Sequence, residues 1–343
     1  MPSFTLGRLV STWDLSEFPL LCALLEVILA SWYLEAMRQL KLRGKPWPVR
    51  RLVYFLAGLA AVAAALESGV AVFVMEVFAV HIIQHLLLMI VAPVLLALSA
   101  PVTLLLQWAD RPLRRRILGF LRGRFLHTIT FPGITLFLYY GVMWIFFTTS
   151  LIRIAMDHMW LMDLFNISFF TGGVMFWWPI VGADSIYHWR LDYGGKLFSL
   201  ALGIPLETFL GITLSMTNRP LDPAYSIHNW YVGGEVLWGL SELATGIAVG
   251  IVVSQWMRSE ARASRRIDAS TGSGAVGTRS KGVPREWYWA QQTIQHAPAG
   301  SPMYLQAAEV LQRLDVEATP VGSAATDGEA AHSGYDRPVV GDI

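Results

Sequence analysis

The feature that most limits what this chain can become is a series of apolar runs long enough to cross a bilayer. They lie near residues 18–38, 51–68, 77–99, 131–150, 159–181, 196–217 and 235–257. A helix rises 1.5 Å per residue, so about 20 apolar residues cover ~30 Å of hydrocarbon. The second and fourth runs only just reach that length. All seven are continuously apolar and do not alternate, which argues against a membrane barrel. Composition agrees: 54% of residues are hydrophobic and 15% are charged, against about 25% charged in a soluble domain. The expected fold is all-α, a polytopic membrane protein of seven transmembrane helices.

Charge sets the expected orientation. Arg38, Lys41, Arg43, Lys45, Arg50 and Arg51 separate the first two runs, and Arg111, Arg114, Arg115, Arg116, Arg122 and Arg124 separate the third and fourth. Arg190 and Lys196 precede the sixth, and Arg258, Arg262, Arg265 and Arg266 follow the seventh. The alternate loops hold only Arg8, Arg153 and Arg219. Basic loops stay in the cytoplasm, so the N-terminus is expected outside and the C-terminus inside. The opening MPSFTLGRLVSTWDLSEFPL lacks a basic n-region and a small-residue cleavage site, so the first run is read as a retained span. Residues 1–17 are then an external segment, 18–257 the membrane domain and 258–343 a mostly disordered cytoplasmic tail, rich in Gly, Ala, Ser and Pro. Within the tail, Tyr304, Ala308, Leu311 and Leu314 recur at helical spacing over 301–316. The basic stretch 99–125 is expected to lie along an anionic leaflet, and FWWP at 176–179 marks an interfacial helix exit. The single cysteine, Cys22, excludes a disulfide within the chain.

Chemistry is most concentrated in VHIIQHLLLMIVAP, residues 80–93. His81 and His85 are four apart, so on a helix they share a face, about one and two turns from its start, with Met89 a turn further in. Such a pair can hold one metal ion. It can equally bond to a polar group on a neighbouring helix and fix the packing. Intramembrane ionisable groups are costly and usually functional. Other candidates fall at the same expected outer level: Glu76 just before the helix, His158 with Met162 at the start of the fifth run, and His228 in the NRPLDPAYSIHNWY loop. Glu67, Glu235 and Glu242 lie toward that level, and Glu26 and Glu207 lie deeper. The candidate metal ligands are His81, His85 and His158, followed by Met89, Glu76, Glu207 and Glu242.

Several segments in order carry a resemblance: HIIQHLLLMIVAPVLLALSAP (81–101), FFTGGVMFWWPIVGADS (169–185), IPLETFLGITL (204–214), GGEVLWGLSELATGI (233–247) and QWMRSEARASRRIDA (255–269). Together they resemble the CtaG-like cytochrome c oxidase assembly factors, in their actinobacterial form, over roughly residues 10–269. The histidine pair followed by Ala-Pro is the most specific element. The resemblance implies a seven-helix bacterial plasma-membrane protein that helps to mature a haem–copper oxidase at the copper-installing step, with an oxidase subunit as client and no reaction of its own. By position, the paired histidines of the family are His81 and His85. The sequence departs at Asn166 and Glu207, where many relatives carry histidine.

Three functions compete. An assembly factor would hold copper near the outer face and pass it on, and neutral imidazole and thioether suit reduced copper. A membrane haem or electron-transfer protein would need histidines on two facing helices, whereas this pair lies on one. A small transporter could use Glu26, Glu207 and Glu242, but the broken-helix repeats of such folds are missing from the sequence. No nucleic-acid partner is expected.

Overall fold

In the computed structural model the described residues are 7–14, 16–184, 191–218, 220–276, 285–298 and 300–318. Six helices are long and apolar enough to cross a membrane. They are span 1 (Glu17–Leu42), span 2 (Val49–Leu66), span 3 (Phe78–Trp108), span 5 (Met159–Val181), span 6 (Tyr193–Ser215) and span 7 (Ile227–Arg265). Span 4 is a bent pair, Pro132–Thr148 followed by Leu151–Asp157 at 79°. The expected single run over 131–150 is thus a helix that turns sharply at its end. Span 7 starts eight residues before the expected 235 and its helix continues to Val276. Among the described residues there is no strand, only an isolated bridge between Trp13 and Ser68.

The chain divides into two units, Met1–Ala261 and Arg262–Ile343. In the second, helices Arg285–His296 and Pro302–Ala318 form where the sequence predicts a mostly disordered tail. The latter covers the helical spacing noted over 301–316. Gly300 (φ 83°) makes the turn between them, and Ala290 and Ala307 are fully buried. The remaining tail, 319–343, lies outside the described residues.

In the first unit two central helices are not plain α-helices. Span 3 carries a π segment at Leu87–Val91, and span 4 another at Phe137–Gly141. The first has a clear cause. Pro93 has no N–H, and its ring clashes with the carbonyl four residues back in an α-helix. That carbonyl is Met89's. The backbone responds with a longer ring, the Ala92 N–H donating to the Leu87 carbonyl. The Met89 carbonyl turns toward span 5, where Gly173 receives it. A Cβ at Gly173 would collide with that oxygen and lie 2.8 Å from Pro93 Cγ. Its neighbour Gly172 faces the second π segment, but a Cβ there would sit 3.6 Å from the Leu138 carbonyl, an ordinary contact.

The two glycines therefore differ in a measurable way. Gly173→Ala is expected to destabilise the folded protein by about 1–3 kcal/mol, the usual range for overpacking. Gly172→Ala is expected to cost much less. Thermal unfolding of both variants in detergent checks this, and equal shifts would show that the carbonyl contact is not what demands glycine.

At the end of the bundle rich in arginine, span 3 breaks at Ala100, which adopts φ 53° between Ser99 and Pro101. The residue before proline is disfavoured in the right-handed helical region, so the left-handed turn redirects the chain. The following helix, Pro101–Trp108, is tied by Asp184, which accepts from the backbone N–H (2.7 Å) and the hydroxyl of Thr103. Tyr33 donates to the Ser99 carbonyl and accepts from Trp47, both at 2.9 Å. The basic helix Arg111–Leu121 buries none of its residues. These contacts hold spans 1 to 3 together and leave the opposite end free to shape a site.

Candidate functional site

His81 and His85 lie in the regular first part of span 3, Phe78–Leu86, before the π segment. Helical spacing puts both imidazoles on one face, with ring centroids 4.6 Å apart and planes inclined by 41°. The residues are 0% and 1% exposed. Span 4 contributes Phe146 and Phe147, each within 6.1 Å of both imidazoles, ring centre to ring centre. Span 5 contributes Phe169, 4.5 Å from His85. Phe78 stands beside His81 and stacks on Trp230 of span 7 at 3.9 Å and 10°. The pair thus sits where spans 3, 4, 5 and 7 meet, in an aromatic enclosure.

Only one imidazole nitrogen of the four has a hydrogen-bond partner. His81 Nδ1 is 2.9 Å from the Tyr225 hydroxyl. His81 Nε2 and both nitrogens of His85 are buried without a hydrogen-bond partner. A buried polar group left unpaired costs about 1–3 kcal/mol, and such orphans need an explanation. The arrangement can do something specific: it offers imidazole nitrogen lone pairs in a buried cage of aromatic rings. Such donors suit a soft cation of low charge, whereas a hard divalent ion would call for carboxylates.

The other sequence candidates do not join the pair. Among the described residues no group of three or more His, Cys, Asp or Glu is placed to hold a metal ion. His158 is exposed and forms the joint between Leu151–Asp157 and span 5. Its carbonyl accepts from Leu161 (2.9 Å) and Met162 (3.2 Å). As the N-cap, half in the helix, His158 is exposed while Met162 one turn on is buried. Among the described residues it forms no three-ligand group with the pair. Met89 is buried within the π segment, where the longer backbone ring alters the four-residue spacing expected from His85. Glu76 is half-buried, and its backbone carbonyl accepts from Asn229 Nδ2 at 3.0 Å.

Glu207 and Glu242 serve the packing of spans 6 and 7. The Thr245 hydroxyl donates to Glu207 at 3.4 Å, and the Thr208 hydroxyl donates to Glu242 at 2.5 Å. Each acid of one helix is matched by a threonine of the other. Asn166, buried on span 5, borders a separate apolar cleft of about 530 Å³ between spans 1, 2, 3 and 5, with Cys22, Glu26 and Phe170. Neither histidine of the pair lines that cleft. His228 is exposed.

Tyr225 is the site residue that sequence reasoning missed. It comes from the loop between spans 6 and 7, where His228 drew attention instead. The available signal was an aromatic hydroxyl in a short polar loop at the same level as the pair. Its partner could be known only from the fold.

The match to known proteins follows the same segments. Residues 31–259 match the family model described as cytochrome c oxidase caa3 assembly factor (Caa3_CtaG). Uncharacterized proteins of Mycobacterium bovis and Mycobacterium tuberculosis are each 29% identical over 282 residues, which is 77% of this chain. One of Mycobacterium leprae is 28% identical over 279 residues, 76% of this chain. In each case the alignment covers 42% of the relative, so the chain spans about two-fifths of the length of these curated proteins. No solved structure matches. The family match takes in the histidine pair, its aromatic enclosure and both π segments, and on that extent the chain belongs to the cytochrome c oxidase caa3 assembly factor family.

Proposed function

We propose that this protein is an assembly factor for cytochrome c oxidase in the bacterial plasma membrane, and that His81 and His85 carry copper(I) toward an oxidase subunit at the outer face. The observation that carries the reading is the set of three buried imidazole nitrogens without partners. Two neutral nitrogens on one helix face, with no carboxylate in the cage, would bind a monovalent soft ion without burying net negative charge. A two-ligand site is also easily exchanged, as a carrier requires. Being one to two turns from the start of span 3, it spares the ion a passage across the hydrocarbon.

The haem alternative is disfavoured by the same geometry. Rings 4.6 Å apart on one helix leave no space for a macrocycle between them. The outward orientation rests on the alternation of basic loops. Copper here is cargo, and the protein's own part is to bind, shield and release it.

The test has two arms. Deleting the gene is expected to leave the oxidase with its haem but short of copper, measured as the copper-to-haem ratio of the purified enzyme. Reporter fusions in the 218–232 loop are expected to report the external side. A copper-replete oxidase from the deletion strain would refute the delivery role, and a cytoplasmic reporter signal would refute the outer-face route.

A further inference from the structure

The hydrogen bonds around Tyr225 decide which nitrogen of His81 can bind a cation. Tyr225 has one hydroxyl proton, and its oxygen lies 2.5 Å from the Val74 backbone carbonyl and 2.9 Å from His81 Nδ1. A carbonyl only accepts. The Tyr225 proton is therefore committed to Val74, and the phenol oxygen is left as an acceptor toward His81. His81 Nδ1 must then carry the ring proton, which leaves Nε2 with a free lone pair. That Nε2 is the buried, unpartnered atom. Tyr225 is 3% exposed, and its ring packs against Phe78 at 5.1 Å. Asp222 is buried and accepts from the Ala224 N–H at 2.7 Å, which shapes the turn that presents Tyr225.

We propose that Tyr225 is a positioning residue that locks His81 in the Nδ1–H tautomer and so aims the Nε2 lone pair at the cation. The proposal rests on the copper-carrier reading for its function, but the tautomer itself does not. An outer hydrogen bond to the far nitrogen of a metal-binding histidine fixes its tautomer and ring orientation, and its loss typically lowers metal affinity about 10–100-fold. Here one phenol does this while joining the segment before span 3 to the loop before span 7. Sequence could not have announced it, because Val74, His81 and Tyr225 are brought together only by the fold.

The experiment uses the full chain in detergent with selectively ¹⁵N-labelled histidine. Nitrogen shifts of the metal-free protein are expected to show His81 protonated at Nδ1 and bare at Nε2. In Tyr225→Phe the tautomer is expected to become mixed or inverted. Copper(I), titrated against a competing chelator, is expected to bind about 10–100-fold more weakly to this variant. In a His81→Ala background the same substitution should add little, because its effect passes through His81. A wild-type His81 protonated at Nε2 would overturn the proposal, even if Tyr225→Phe failed to fold. Unchanged copper affinity in a folded Tyr225→Phe would overturn it as well. The expected tautomer in a protein that binds no copper would uphold the lock and instead remove the carrier reading.

Discussion

Cells carrying His81→Ala together with His85→Ala are expected to make normal amounts of folded protein and an oxidase short of copper. The abundance follows from what the imidazoles do not do. Three of their four nitrogens have no hydrogen-bond partner, so truncation forfeits the Tyr225 bond and packing against Phe78, Phe146, Phe147 and Phe169. Removing unpaired buried polar atoms also relieves a cost of about 1–3 kcal/mol each, which offsets part of the cavity left behind. The copper loss follows from the absence of replacements. His158 is exposed, and among the described residues no further His, Cys, Asp or Glu joins the pair in a group that could hold a metal ion. Losing an outer partner alone costs about 10–100-fold in metal affinity, so losing both ligands should exceed that range. Copper per haem in the oxidase, with immunoblots for abundance, reads both quantities. If the pair only tied helices together, the double variant would be scarce, and whatever survived would still support a copper-replete oxidase.

The fold was largely legible because hydrocarbon thickness acts on composition alone. Six apolar runs became helices within a few residues of their expected limits, apart from span 3, which continues past its break at Ala100 to Trp108, and span 7, with its early start and long continuation. What the runs could not reveal were departures from α geometry. Pro93 was visible, but whether it kinks, ends or merely re-registers a helix depends on what receives the Met89 carbonyl, and that is Gly173, eighty residues away. Span 4 has no interior proline to announce its π segment, and the structure offers no equally simple cause for it. The histidine pair was legible because its partners are each other, four residues apart. His158 stands at the start of span 5 as expected, but as an exposed cap between two helices and not beside the pair, which depends on how Leu151–Asp157 joins span 5. Glu207 and Glu242 ranked last among the candidate ligands, and their threonine partners on the facing helix agree with packing. The tail's low apolar content hid the helix Arg285–His296, while Pro302–Ala318 was foreshadowed by the spacing over 301–316; each buries an alanine, Ala290 and Ala307.

Gly233→Val is expected to lower the amount of folded protein sharply, and adding Phe78→Ala is expected to restore much of it. Gly233 lies on span 7 against Phe78, which walls His81. A Cβ there would collide with the Phe78 ring, lying 2.8 Å from Cε1 and 3.1 Å from Cγ after a still closer contact with Cδ1. The ring has little freedom to yield. It is 0% exposed, stacked on Trp230 at 3.9 Å, and bounded by Tyr225 at 5.1 Å and Phe147 at 6.0 Å. Overpacking of this kind costs about 1–3 kcal/mol when neighbours can shift, and the enclosure on all sides puts Gly233→Val at the upper end. Phe78→Ala alone should cost about 3–5 kcal/mol as a cavity. The two changes are in contact, so their effects should not add: the valine fills part of the space that the ring vacates. Detergent thermal unfolding of the two single variants and the double variant measures the coupling. Additive losses would mean that Gly233 is required for a reason other than the Phe78 ring. Rescue would show that the glycine exists to admit the ring that walls His81, and the rescued protein should then hold copper less tightly than wild type, because that wall is gone.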